Sequence, residues 1–323
     1  MSVQCEICPR RCKLDKGESG NCLIRKNVDE KLVLTTYGYP CATHVDPVEK
    51  KPLFHFMPGT KAYSVATAGC NLHCKNCQNW EISQSPPDKV PARHLPPKEL
   101  VKEAKKYNCK SIAYTYTDPV VFFEYAYDTS AIARKEGIKN ILVTAGYINK
   151  EPMKVLCKNV DAANIDLKAY SDKFYRDVCR ATLKPVLEAL VTTKSCGVMV
   201  EVTNLLIPTL NDSDKDITEL VKWVKANMGK ETPLHFSRFF PNFRMRNLPA
   251  TSINKLKNAR KIALAEGLEY VYIGNVPTEE AESTFCPFCK ELLIQRSGYS
   301  ILKNQIQDGK CSKCKNKIYG VWK

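Results

Sequence analysis

Between residues 61 and 278 the chain alternates two hydrophobic periods. Short runs rich in Val, Ile and Tyr, bounded by Gly, Pro, Asn or Asp, predict strands over 62–66, 111–115, 140–144, 163–167, 198–205, 234–239 and 270–273. Between them apolar residues recur at helical spacing. Leu100, Val101, Ala104 and Tyr107 share one helical face, as do Ile217, Leu220, Val221 and Val224. Asp212 or Ser213 is placed to cap the second of these helices. Strands alternating with helices predict an α/β fold with a parallel sheet and crossover helices, six or seven units of which close fully or partly into a barrel. Chemistry in such barrels collects where strands end and loops begin. The polar residues follow that rule. The first strand runs into Cys70, the second into Thr117-Asp118-Pro119, and the fourth into Asp166-Leu167-Lys168. The fifth contains Glu201 and Asn204, and the sixth His235 and Arg238.

On either side this pattern stops, which predicts three zones. Residues 1–60 hold a cysteine group and a Pro-rich connector, DPVEKKPLFHFMPG; residues 61–278 form the barrel; residues 279–323 hold two CxxC pairs. Sixteen cysteines are too many for ordinary packing. No apolar run approaches the ~18–20 residues that span a bilayer. The first residues, MSVQCEICPRRCKLDK, lack the apolar core of a secretory signal. A cytoplasmic location is therefore expected. There thiols stay reduced, and clustered cysteines point to metals. Cys109, Cys157, Cys179 and Cys196 stand apart from the clusters and read as small buried hydrophobes. The formal charge of +15 is compatible with nucleic acid or an acidic partner, or with solubility alone, and metal-bound thiolates would offset part of it.

The densest chemistry is CNLHCKNCQNW, with Cys70, Cys74 and Cys77 at C-x3-C-x2-C spacing. Three thiolates in one loop hold three irons of a cubane and leave the fourth iron open. A structural zinc site would normally be closed by four ligands, with His73 as a candidate here. Its place between the cysteines reads more simply as a solvated loop residue.

A C-x3-C-x2-C loop after the first strand of a βα barrel resembles the radical S-adenosylmethionine (SAM) superfamily. The resemblance implies a [4Fe–4S] cluster whose open iron is chelated by SAM. It also implies reductive cleavage of SAM to a 5′-deoxyadenosyl radical that takes hydrogen from a substrate, with an electron donor such as flavodoxin or ferredoxin. One departure is Asn76, where that superfamily usually has an aromatic before the third cysteine; Trp80 stands nearby, either as a substitute or as a packing residue. The strings DPVEKKPLFHFMPG, ATAGCNLHCKNCQNWEIS, YTYTDP, NIDLKAY, LLIPTLND, LHFSRFFP and YVYIGN occur in this order. Together they resemble the AmmeMemoRadiSam-system radical SAM enzymes, relatives of the glycyl-radical (pyruvate formate-lyase) activating enzymes. That resemblance implies a protein substrate of the AMMECR or MEMO type. It names no reaction beyond the chemistry of SAM and no catalytic residue.

For SAM itself, the resemblance implies that Asp118 receives the amino group, although Asp118-Pro119 also reads as a plain turn. It places the D-x-K of Asp166 and Lys168 on SAM, with the lysine near its carboxylate. Alternation puts both side chains on one face of the strand, where they can also simply pair with each other. Asn204 and Arg238 are further candidates for the cavity wall.

Cys286, Cys289, Cys311 and Cys314, as CPFC and CSKC separated by 21 residues, predict a zinc-ribbon-like segment. An iron–sulfur cluster or free thiols are the alternatives. Cys5, Cys8, Cys12 and Cys22 predict a structural zinc or an auxiliary cluster, against a redox-active thiol group. His44, Asp46 and Lys50 of the connector reach either the cavity mouth or solvent. Three functions compete: a radical SAM enzyme acting on a protein or small molecule, a radical SAM enzyme modifying RNA, and a non-enzymatic multi-zinc binding module.

Overall fold

The structure, a computed structural model, describes residues 1–323, the side chain of Glu279 excepted. At its centre is a sheet of eight strands lying side by side in chain order. They are β1 (Ala42–Pro47), β2 (Lys61–Ala66), β3 (Ser111–Tyr114), β4 (Lys139–Thr144), β5 (Ala162–Asp166), β6 (Met199–Leu206), β7 (Leu234–Arg238) and β8 (Val271–Gly274). β2 to β8 are parallel. β1 runs antiparallel to β2. β1 and β8 are not neighbours, so the sheet stays open as a partial barrel. All seven strands expected from sequence form, each within one residue of its expected bounds. β1 falls in what reads as connector, because its Asp-Pro end looks like a turn.

Six helices, α1 (Pro97–Lys106), α2 (Phe123–Lys135), α3 (Lys150–Cys157), α4 (Lys184–Ser195), α5 (Asp214–Met228) and α6 (Ile253–Ala265), bury one face of the sheet. Leu100, Val101, Ile217 and Val221 meet Ile112, Leu142, Ile165, Val202 and Phe236 in one core. Ser213, not Asp212, caps α5 by accepting a bond from the Asp216 backbone N–H, and Gly229 at φ +85° ends that helix.

The other face carries small residues, Ala62, Ala113 and Ala162, under Val48, Leu53 and Phe56 of the connector. The C-terminal segment clamps this cover. The Met57 N–H donates to the Val321 carbonyl (2.7 Å), and the Val321 N–H to that of His55 (2.7 Å). Arg296, fully buried, lies 4.3 Å over the Phe54 ring and donates to the Phe54 carbonyl (2.7 Å) and Thr284 Oγ1 (2.8 Å). Beneath it, Glu201 accepts the His55 N–H (2.7 Å) and contacts His235 Nε2 (2.5 Å).

Burial holds the His55 imidazole well below its ordinary 6.5, at about 4, although Glu201 acts the other way. The unfolded chain therefore takes up a proton first as pH falls, and folding should weaken between about pH 6.5 and 4. Thermal melts at pH 7 and pH 5 should show the loss, and His55→Gln should flatten it; an equal slope in the variant would place the acid sensitivity elsewhere.

Candidate metal and SAM site

β2 enters the cysteine loop through Gly69, which has φ +87°. A Cβ there would lie 2.4 Å from the Cys22 carbonyl oxygen, so only glycine lets the N-terminal zone back onto the loop. Beyond this turn the loop rests on the π-helical turn Tyr175–Cys179: the His73 N–H donates to the Cys179 carbonyl (3.0 Å) and the Lys75 N–H to that of Val178 (2.9 Å). Cys70, Cys74 and Cys77 project from one loop into one electrostatic neighbourhood. Burial, then the Asp118 carboxylate, pushes the Cys70 thiol far up, and burial also raises Cys77. Cys74 goes the other way, chiefly because the Cys179 thiol donates a hydrogen bond to its sulfur, with Lys168 also favouring the thiolate.

Asp166 and Lys168 meet here as an ion pair at 2.8 Å. The Lys168 ammonium is held in its charged form: burial opposes this, but Asp166, Cys74 and Cys179 outweigh it. A cation fixed beside a thiolate suits an anionic ligand group arriving at the same place. Asp118 is buried and accepts bonds from the Val120 N–H (3.1 Å), Thr144 Oγ1 (2.8 Å) and the Ala145 N–H (2.9 Å). Burial still raises its pKa, so the turn both uses the carboxylate and leaves it short of charge compensation.

Asn204 and Arg238 are not brought to this point. Val202 and Leu206 of β6 and Phe236 of β7 face the helices, and alternation sends Asn204 and Arg238 the same way. Asn204 ties down the neighbouring turn by donating to the Leu167 (2.8 Å) and Lys168 (3.1 Å) carbonyls, so its link to the site runs through Lys168. Arg238 donates to the Thr251 carbonyl (2.8 Å) and stacks on Phe240. His73 is half-exposed, and its ring nitrogens meet Gln84 Oε1 (2.6 Å) and Asn21 Oδ1 (2.9 Å), which makes it a strut between two cysteine loops. Trp80 stacks on Phe243, with ring centroids 5.1 Å apart.

One group escapes a reading of the sequence, and another, Asp46, is visible there only as a connector residue facing either the cavity mouth or solvent. Cys179 reads as an isolated buried cysteine; the π-helical turn that carries it to Cys74 has no marker in the residue pattern. Asp46, in the connector, is buried and accepts from Lys51 Nζ (2.7 Å), Ser64 Oγ (2.8 Å), Lys50 Nζ (2.9 Å) and Tyr116. Strand pairing in β1 buries it, and β1 is the strand the sequence hides. His44 packs edge-on against the Tyr116 ring.

Three thiols offered from one loop are the donor set that a multi-iron group with one open iron requires. Among the described residues, Cys286, Cys289, Cys311 and Cys314 are the one set of three or more possible ligands whose donor atoms all lie within 4.8 Å. Asn76 Oδ1 beside the loop is buried without a partner, an acceptor available to a bound molecule.

Comparison with known proteins decides the family. The sequence pattern of the radical SAM superfamily matches residues 64–224, from β2 through most of α5. The chain belongs to the radical SAM superfamily. An uncharacterized protein of Methanocaldococcus jannaschii is 49% identical over 318 residues, covering 98% of this chain and 95% of that protein. The pyruvate formate-lyase-activating enzyme of Clostridium pasteurianum is 23% identical over 212 residues, 60% of this chain and 86% of the enzyme. Among solved structures, SuiB of Streptococcus suis bound to precursor peptide SuiA superposes with a TM-score of 0.52 at 14% identity, covering 71% of this chain and 51% of that one. A radical SAM methyltransferase from Sphaerobacter thermophilus gives 0.51 at 15% identity, with 66% of each chain covered. Both likenesses show the fold. Membership of the radical SAM superfamily implies a [4Fe–4S] cluster and SAM. None of its helices among the described residues is long and apolar enough to cross a membrane.

Proposed function

We propose that this radical SAM protein cleaves SAM reductively and uses the resulting radical on a polypeptide. The observation that carries the first half is the convergence of Cys70, Cys74 and Cys77 with the Asp166–Lys168 pair. Cys70, Cys74 and Cys77 would hold a [4Fe–4S] cluster which, reduced by an external one-electron donor, would supply the electron that splits SAM into methionine and a hydrogen-abstracting 5′-deoxyadenosyl radical. Lys168 would anchor the SAM carboxylate, with Asn204 fixing the turn that carries it. Asp118 would receive the amino group, and Asn76 Oδ1 stands free to accept a further bond. Burial of Asp118, Asn76 and Asn204 would help keep water from the radical.

The polypeptide substrate is supported by the relatives: one is named for activating pyruvate formate-lyase, and another holds a precursor peptide. Within the superfamily we assign the chain to the AmmeMemoRadiSam-system enzymes on its motif strings, with an AMMECR- or MEMO-type protein as the substrate to try first. For the C-terminal cysteines we propose zinc. Their sulfurs lie 3.6 Å (Cys286–Cys314) and 3.7 Å (Cys289–Cys311) apart. A tetrahedron with metal–sulfur bonds of about 2.3 Å has edges of roughly 3.8 Å.

The test is anaerobic reconstitution with iron and sulfide, followed by dithionite and SAM. Formation of 5′-deoxyadenosine is expected; a protein that binds only zinc and leaves SAM intact would be a binding module instead. In the same assay Lys168→Met should keep its iron but need roughly 10- to 100-fold more SAM for half-maximal turnover, the cost of one charge-assisted bond. Unchanged SAM dependence would leave Lys168 as a partner of Asp166 only.

A further inference from the structure

The Cys70–Cys77 loop carries a positively charged hollow on its outer side. Lys75, Arg180 and Arg244 line it with His73, Gln84 and Phe243, around about 280 Å³ of free space. Three segments far apart in the chain supply the cations. Lys75 stands between Cys74 and Cys77, Arg180 follows Cys179 at the end of the π-helical turn, and Arg244 lies in the loop after β7. Backbone bonds lock these segments together. The Lys75 N–H donates to the Val178 carbonyl (2.9 Å), and the Arg244 N–H to the Lys75 carbonyl (3.0 Å). Arg180 sits in the left-handed region at φ +55°, with its carbonyl held by the Arg10 guanidinium.

The fold gathers these charges without neutralising them. Arg180 and Arg244 are exposed and Lys75 is half-exposed. None of the three makes an ion pair among the described residues. Asp177 is within electrostatic reach of Lys75 and Arg180, but it is bound to Lys173. Cations held together with no acid of their own suit a partner that brings negative charge.

Position selects the partner. His73 and Lys75 in the wall of the hollow belong to the same loop as Cys70, Cys74 and Cys77. Reductive cleavage of SAM draws one electron per event from an outside donor, and that electron has to arrive close to this loop. Electron-transfer encounters are small and transient, and charge steers them. We propose that Lys75, Arg180 and Arg244 are the docking site of an acidic one-electron carrier protein, an inference that rests on the SAM-cleaving reading above. At each encounter the carrier loses one electron and the cluster gains one; no bond forms or breaks. RNA is anionic too, but sequence-tolerant binding of single strands pairs a basic groove with aromatic faces on which bases stack. Here the Phe243 ring is taken up by Trp80 and by the Arg244 guanidinium, each centred 5.1 Å from it.

The test separates the carrier from the chemistry. Oxidised flavodoxin, an acidic flavin carrier, is titrated calorimetrically into the reconstituted protein at about 25 and about 200 mM salt, with Arg180→Glu/Arg244→Glu beside the wild type. Lys75 stays in place, because a changed charge between two of the cysteines would alter the loop itself. Wild-type binding should weaken with salt, and at low salt the double variant should bind at least about tenfold more weakly. Flavodoxin hydroquinone, freed of its own reductant, should then yield 5′-deoxyadenosine about tenfold more slowly with the variant than with the wild type. Photoreduced deazariboflavin, a small reductant that needs no docking, should drive both proteins equally, which also shows that the variant is folded. Arg180→Gln/Arg244→Gln should fall between the two. Equal flavodoxin binding by variant and wild type overturns the proposal. So does binding of a single-stranded RNA oligonucleotide through these residues with none of flavodoxin. Should neither reductant cleave SAM in the wild type, the reading above fails, and the binding titration still decides this one.

Discussion

Cys74→Ala should abolish 5′-deoxyadenosine formation, to the background of SAM with dithionite alone. Cys74 is the middle one of the three cysteines proposed as ligands, and its sulfur is the one whose surroundings favour the thiolate, through Cys179 and Lys168. Its loss leaves two cysteines from the loop, too few to retain a cubane with one open iron. Iron bound at this loop should fall with activity, whereas the metal proposed for Cys286, Cys289, Cys311 and Cys314 should stay, because those cysteines lie in a separate core with Phe54 and Tyr272. Cys179 is the one thiol placed to substitute, so Cys74→Ala/Cys179→Ala is the necessary companion. SAM cleavage that survives the double variant would remove the loop from the chemistry.

The second large effect is expected at Gly69. In Gly69→Ala the new methyl meets the Cys22 carbonyl oxygen at 2.4 Å and Ile24 Cγ2 at 2.8 Å. The first of these is backbone and cannot rotate away. The residue also keeps φ +87°, which costs an L-residue about 1–2 kcal/mol. With overpacking of about 1–3 kcal/mol, the loss is roughly 2–5 kcal/mol. Anaerobic melting curves measure it. Gly137 is the control: it has φ +74° and nothing within 4 Å of a built Cβ, so Gly137→Ala isolates the backbone cost. Equal melting shifts for the two variants would mean that the N-terminal zone yields freely at Cys22. A larger shift for Gly69→Ala, with iron lost from the Cys70–Cys77 loop, is the expected result.

What the sequence discloses follows from how local its signals are. Strands β2 to β8 are legible because each is a short β-branched run bounded by turn residues, and the parallel order follows from the helices between them. The D-x-K pair is legible for the same reason, since a period of two carries Asp166 and Lys168 to one side. That period also explains Asn204 and Arg238. Their strands are readable, but which parity faces the helices depends on packing partners such as Val202 and Phe236. Cys179, His73 and Asp46 depend on contacts with segments far away in the chain, through a π-helical turn, Asn21 and Tyr116, and no spacing rule encodes them. The three cysteine sets are visible as sets. Which metal each set suits is not, because CxxC pairs and CxxC-x3-C runs suit a single ion and a cubane alike.

The clamp between connector and tail also bears on the order in which the molecule matures. His55 contacts the Tyr319 carbonyl across 264 positions of chain. Synthesis runs from the N-terminus, so the Cys70–Cys77 loop leaves the ribosome while the cover over the sheet still lacks its partner. Until residues 319–321 arrive, His55 and Met57 lack their partners there, and the cover over the sheet stays unlatched.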